Sequence, residues 1–322
     1  MKKKIQIIYC LLIKLHAIPL VLLTLVTANC QEKVPQSTLP SIEYTVTTEI
    51  NYAGNKDMAQ TMDIYVPLHR KSEKLPVIVT IFGTNNLWGK GDKMWAGDSP
   101  FLSYLLDGNY ACVKINYRLS TEAQWPAQLY DCKAAIRYLK ANAKKYGIDK
   151  NKIGVWGHSA GGHLAAMIGL TSASKALEGD VGYYKKENGS VACAVDAAGP
   201  TDFESLMSVE EEYKNSPLFK SFFNNDMEAV KLASPITHAD GSCIPFFIYH
   251  GVKDKAVSVK QSEELYDKLT KKGAKEIYFL KITDGGHVFS DERITQQMLN
   301  FFDRYLHDDK SVVVDDSEFS LN

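Results

Sequence analysis

The feature that most constrains this chain is the run Gly157-His158-Ser159-Ala160-Gly161-Gly162-His163. It follows a short apolar stretch, Ile153 to Trp156, that reads as a buried strand. It precedes Leu164, Met167, Ile168 and Leu170, which fall close to one face of a helix. A Gly-x-Ser-x-Gly between a strand and a helix is the setting of a nucleophile elbow, a strained turn that lifts the serine hydroxyl above the sheet. The glycines have a steric reason: a Cβ at either flank crowds the neighbouring backbone in so sharp a turn. The helix that starts here also aims unpaired N–H groups at negative charge developing near the serine.

Around this turn the chain alternates strand and helix patterns. Tyr44 to Ile50 and Met62 to Val66 are β-rich with partial alternation and predict an antiparallel pair at a sheet edge. Pro76 to Phe82 is almost continuously apolar, as a strand buried on both faces requires. Tyr110 to Tyr117, Val191 to Ala198, Ile244 to Tyr249 and Ile277 to Ile282 read as further strands. Helices are predicted around Phe101 to Leu106, from Gln128 to Tyr146, from Ser258 to Lys272 and from Ser290 to Leu306. In the second of these Leu129, Cys132, Ile136, Leu139 and Ala143 recur at steps of three and four; in the last, Ile294, Met298, Phe301 and Tyr305 share a face. Asp149 to Lys152 reads as the turn into the elbow strand. Residues 201–232 are rich in Glu, Phe and Asn without a strand pattern and read as a small helical excursion over the sheet. The alternation predicts an α/β fold with a mostly parallel central sheet and helices on both faces, its ligands bound beyond the carboxyl ends of the strands.

The ends read differently. Lys2, Lys3 and Lys4, the apolar run Ala17 to Val26 and the small residues of Val26-Thr27-Ala28 make residues 1–29 a secretory signal peptide. A retained membrane anchor is disfavoured because Lys14, His16 and Pro19 interrupt the apolar residues of this segment, and a mid-bilayer lysine costs about 2.5–3.5 kcal/mol. Cys30 stands where a lipoprotein cysteine would, so lipid anchoring and a soluble periplasmic or secreted form are both open. Residues 30–43, polar with two prolines, read as a linker, residues 44–307 as one catalytic domain, and residues 308–322 as an acidic, frayed tail. Lys+Arg 37 against Asp+Glu 38 leaves none of the basic excess that nucleic-acid binding requires. Cys112, Cys132, Cys193 and Cys243 lie in or beside apolar elements, with no CxxC spacing, and read as buried small hydrophobes.

A serine hydroxyl needs a base, and the base needs an acid to hold its tautomer. On an elbow of this kind the partners follow the serine, acid first and histidine last. His16 and His69 come too early, while His158 and His163 are too near Ser159 along the backbone to reach it well. His307 sits on the terminal helix and His250 reads as packing its own loop. His287, in Asp284-Gly285-Gly286-His287 between the last strand and the last helix, takes the base position. Asp254, after the strand Ile244 to Tyr249, is preferred as the acid; Asp202 is its rival, and Asp284 reads as a turn residue.

Asn116-Tyr117-Arg118-Leu119-Ser120, Trp125-Pro126-Ala127-Gln128, Asp131-Cys132-Lys133-Ala134-Ala135 and the run Gly154 to His163 resemble the core of a bacterial α/β-hydrolase group. That group includes feruloyl- and acetyl-xylan-esterase-like enzymes and carboxylesterases akin to hormone-sensitive lipase. The resemblance covers about residues 45 to 306. It implies an α/β-hydrolase fold, Ser159 as nucleophile, Asp254 as acid, His287 as base, and ester hydrolysis through an acyl-enzyme without metal or cofactor. The substrate it suggests is a small ester or an acylated oligosaccharide. Amide cleavage, as in aryl formamidases, and a non-catalytic binding role are the alternatives. One departure stands out. The family places His-Gly-Gly-Gly after the strand ending near Phe82, whereas here the run is Phe82-Gly83-Thr84-Asn85-Asn86-Leu87. Ala160 supplies one oxyanion N–H; Gly83 or Thr84 is expected to supply the second, with Asn85 and Asn86 offering side-chain amides instead. Losing one such donor costs about 10²–10³ in rate.

Overall fold

The computed structural model of the protein describes residues 42–83, 100–209 and 215–321. Residues 1–29, read above as a signal peptide, Cys30 and Thr84 to Asn86 lie outside them. Among the described residues eight strands form a single sheet: β1 (Tyr44–Asn51), β2 (Thr61–Pro67), β3 (Leu75–Ile81), β4 (Ala111–Ile115), β5 (Ile148–His158), β6 (Cys193–Ala197), β7 (Phe246–Gly251) and β8 (Ile277–Ile282). Their spatial order is β1-β2-β4-β3-β5-β6-β7-β8. β1 pairs antiparallel with β2, and β2 with β4; every other pairing is parallel.

The parallel strands are apolar because both faces are covered. Successive side chains of β3 go to opposite sides. Val77, Val79 and Ile81 join a core with Leu129 and Ile136 of α2 (Ala127–Ala141) and Leu164 and Ile168 of α4 (Ala160–Leu170). Ile78 joins a second core with Leu102 and Leu105 of α1 (Pro100–Asp107) and with Ile294, Met298, Phe301 and Phe302 of α9 (Glu292–Leu306). β6 and β7 alternate in the same way, Ala194, Phe246 and Ile248 on one side and Val195 and Phe247 on the other.

Three boundaries differ from the sequence expectation. The residues read as a turn, 149–152, are an irregularity inside β5: Leu75 faces Ile148, but Val77 faces Ile153. The predicted helix from Gln128 to Tyr146 is two, α2 and the single turn α3 (Ala143–Tyr146), which closes on left-handed Gly147 at φ 64°. The tail is not frayed. Phe319 N–H donates to Lys281 O (3.1 Å), Thr283 N–H donates to Phe319 O (2.9 Å), and Arg293 lies over the Phe319 ring. Asp284 receives the Ser320 hydroxyl and the Leu321 N–H, both at 2.8 Å. The tail thus covers the outer edge of β8, where a lone strand would leave backbone groups unpaired.

The excursion over the sheet is helical, as expected: α5 (Phe203–Val209), α6 (Pro217–Phe222) and α7 (Met227–Ala233). Phe203, Phe219, Phe222 and Phe223 pack with Trp125 and His163 as its aromatic core. His163, from the elbow helix, donates Nε2–H to Ala233 O at 2.6 Å, and burial lowers its pKa to about 3, so it packs there neutral. Arg118 and Asp131 from the quoted motifs form a bidentate pair at 2.8 and 2.7 Å, and Gln60 donates to the same carboxylate at 2.6 Å. This joins the segment leaving β4 to α2 through a fully buried acid. Cys112, Cys132 and Cys193 are buried and Cys243 half-buried, all as free thiols. Among the described residues no helix is long and apolar enough to cross a membrane.

Candidate active site

Ser159 has φ 57° and ψ −123°, a conformation that costs an L-residue energy and is held here by its surroundings. A Cβ on Gly157 would stand 2.0 Å from Gly161 O, and one on Gly161 would stand 2.1 Å from Ile81 O. Both glycines are therefore obligatory for the turn. The Ser159 N–H donates to Ala197 O at 2.8 Å, which ties the turn to the end of β6.

His287 lies in the loop from β8 to α9, and Asp254 in the loop from β7 to α8 (Lys260–Lys271). The His287 Nε2 is 3.0 Å from Ser159 Oγ and its Nδ1 is 2.7 Å from Asp254 Oδ2. A carboxylate only accepts, so the hydrogen is on Nδ1 and Nε2 is left to accept from the serine hydroxyl. Asp254 Oδ1 accepts the N–H groups of Ala256 (2.7 Å) and Val257 (2.9 Å). Burial pushes the Asp254 carboxyl up, but hydrogen bonds from His250, His287 and Val257 outweigh it and hold the group well below the usual carboxylate range. The Asp254 side chain is fully buried, while that of His287 is 23% exposed.

The other acidic candidates have different partners. Asp202 Oδ1 accepts the N–H groups of Glu204 (3.0 Å) and Ser205 (3.2 Å), which makes it a cap at the start of α5. Asp284 binds the tail. His238 contacts Leu232 O at 2.8 Å, and His307 contacts Gly108 O at 3.0 Å.

Two histidines passed over in the sequence belong to the site. His158 donates Nε2–H to the backbone oxygen of His287 at 2.8 Å, with ring centroids 4.9 Å apart. Burial lowers its pKa to about 4, so it does so as a neutral ring. His250 is fully buried against Asp254, its Nε2 3.0 Å from Oδ2. The first contact spans 129 positions and has no local signature. The second is four positions long, and the pair His250-x-x-x-Asp254 leaving a strand was its only signal.

Ala160 opens α4, so its N–H has no partner within the helix. A Cβ on Gly83 would lie 2.7 Å from His158 O and 2.9 Å from Ser159 Cβ; a larger residue could not bring the end of β3 so close to the serine. Beside His287, and lined also by Gly83 and His158, opens a cavity of about 250 Å³, walled by Phe82, Phe101, Tyr104, Trp156, Tyr249, Phe289 and Met298. Trp156 Nε1–H donates to the Tyr249 hydroxyl at 3.1 Å, which sets the angle of that wall. Among the described residues no group of His, Cys, Asp and Glu is arranged to hold a metal ion.

Strand order, elbow, and an acid and a histidine on the turns after β7 and β8 define an α/β-hydrolase. The BD-FAE family matches residues 62–269, and this chain belongs to it. A solved structure described as a truncated carbohydrate esterase from gut microbiota is 32% identical, with a TM-score of 0.72 over 82% of this chain and 96% of that one. A bifunctional GH43-CE protein of Bacteroides eggerthii is 31% identical with a TM-score of 0.73, over 81% of this chain and 35% of its own. Esterase LipC of Mycobacterium tuberculosis is 28% identical over 72% of this chain and 58% of its own length. The chain spans about half the length of such curated relatives, 49% and 45% of two further mycobacterial ones.

Proposed function

We propose that this protein is a serine carboxylesterase in which Ser159 is the nucleophile, His287 the general base and Asp254 the acid that orients it. The observation that carries this is the continuous hydrogen-bonded line from Ser159 Oγ through both nitrogens of His287 to Asp254 Oδ2. Ser159 attacks the ester carbonyl as its proton passes to His287 Nε2. The oxyanion is received by the Ala160 and Gly83 N–H groups, with Thr84 as the alternative second donor. His287 then returns the proton to the leaving alcohol, and water repeats the sequence on the acyl-enzyme. Hydrolysis of p-nitrophenyl acetate is expected, with kcat/KM falling at least about 10⁴-fold in Ser159→Ala. Equal rates in wild type and Ser159→Ala overturn the assignment.

For the substrate, the aromatic cavity favours an aryl or small acyl group. An apolar cavity of about 150 Å³ holds a benzene ring, so about 250 Å³ has room for a ring and a short linker. Similarity to a carbohydrate esterase supports an acylated polysaccharide as the alcohol side, and the segment before residue 30 supports an exported protein, soluble or anchored through Cys30. Feruloylated and acetylated oligosaccharides should be turned over faster than simple alkyl esters. Turnover of simple esters with none of the sugar esters rejects the carbohydrate assignment.

A further inference from the structure

His250 is a buried titratable group that the proposed reaction leaves without a task. Its Nε2 lies 3.0 Å from Asp254 Oδ2 and 2.9 Å from Val257 O, two atoms that only accept, so Nε2 carries a hydrogen. On the other side Nδ1 is 2.7 Å from the hydroxyl of Ser262, itself fully buried on α8. The hydroxyl donates to the bare nitrogen and fixes the tautomer. The ring is therefore clamped between the end of β7, the 254–257 turn and α8.

We propose that His250 is a positioning residue of the active site: its Nε2–H donates to the Asp254 oxygen that also receives His287 Nδ1–H, locking the carboxylate's rotation and tempering its pull on the His287 proton. The inference rests on the reading of Ser159, His287 and Asp254 as the catalytic set. Each Asp254 oxygen accepts two N–H groups, from Ala256 and Val257 at Oδ1 and from His287 and His250 at Oδ2. A carboxylate so saturated cannot turn without breaking several bonds. The second imidazole also draws on the negative charge that stabilises the His287 imidazolium. A less tightly held proton is returned more readily to the leaving alcohol. His250 keeps its own proton throughout.

The titratable groups around the ring are Asp254, His287, Asp196 on β6 and His158 on β5; α8 contacts it through the neutral Ser262, and Lys281, the register partner of His250 on β8, is paired at 3.1 Å with Glu263 of α8. Asp196 titrates at about 6, so its own contribution has to be removed in the test.

kcat and KM for a soluble aryl ester, followed between about pH 4.5 and 9 in wild type, His250→Phe, His250→Gln and Ser262→Ala, each with and without Asp196→Asn, decide the matter. His250→Phe should lower kcat about 10- to 100-fold, leave KM within about twofold, and move the acid limb of kcat/KM upward by about 0.5–1 pH unit. His250→Gln, whose amide N–H can serve the same oxygen, should return the limb to its wild-type place. Ser262→Ala should give a smaller upward move, and carries the test alone if His250→Phe does not fold. A lowered kcat with an unmoved acid limb reduces His250 to packing and overturns the inference. A wild-type rate that Ser159→Ala leaves unchanged fails the underlying catalytic reading instead, and the two failures are distinguishable.

Discussion

Two buried carboxylates stand at the ends of adjacent parallel strands and behave in opposite ways. Asp254, just past β7, accepts four N–H groups and is held well below the ordinary carboxylate range. Asp196, near the end of β6, accepts one, from Gly199 at 2.9 Å, and its Oδ2 has no hydrogen-bond partner among the described residues. Burial therefore dominates and pushes it up to about 6, with Gly199 and His250 opposing only in part. Both side chains are fully buried. The count of donors, not the depth, decides which acid stays charged.

The largest effect that would test this contrast comes from Asp254→Asn. Its amide can present an N–H to His287, disturbing the tautomer that leaves Nε2 free, so kcat should fall by about 10³–10⁴ in steady-state assays. A loss below about tenfold would mean that Asp254 does not serve as the acid. Because the Asp254 pKa is depressed, its contribution to stability is present above the unfolded value near 4 and lost as pH falls further. Urea denaturation should accordingly show the destabilisation by Asp254→Asn to be greatest at neutral pH and to shrink in acid.

Asp196 has the reverse sign. Its raised pKa favours folding fully below about pH 4, and that contribution disappears as pH rises through about 6. From pH 4 to pH 8, Asp196→Asn should gain up to about 3 kcal/mol of stability relative to wild type. A pH-independent difference between the two would show that Asp196 does not titrate in that interval.

Asp202 gives the smallest effect and the sharpest control, since it was the rival acid. As a helix cap, Asp202→Ala should cost about 1 kcal/mol in thermal unfolding and leave kcat/KM within about twofold. A catalytic loss equal to that of Asp254→Asn would transfer the role.

What could be read in the sequence follows from how local each cause is. The elbow was legible because Gly157 excludes a Cβ within the turn itself, although the contact that requires Gly161 is with Ile81 of β3. The strands were legible because β3, β4, β6 and β7 are buried on both faces and so mostly apolar, with Thr80, Lys114, Asp196 and His250 as their polar exceptions. Chain order singled out Asp254 and His287 from their rivals, and the structure sets both within hydrogen-bonding distance of a neighbour in one line to Ser159. The tail was misread because its acidic composition says nothing of the open edge of β8, which Phe319 pairs with.

The sequence by itself determined the backbone of this protein: the tight turn at Ser159, the alternation of strand and helix, and the order of serine, acid and histidine. These are set by sterics and periodicity over a few residues. Only the tertiary structure decided that His250 and His287 meet on one oxygen of Asp254, that His158 grips the backbone of His287, and that six aromatic side chains from five segments line one cavity beside His287. Such contacts join residues up to 129 positions apart, and their energy depends on desolvation and donor geometry that no stretch of sequence contains.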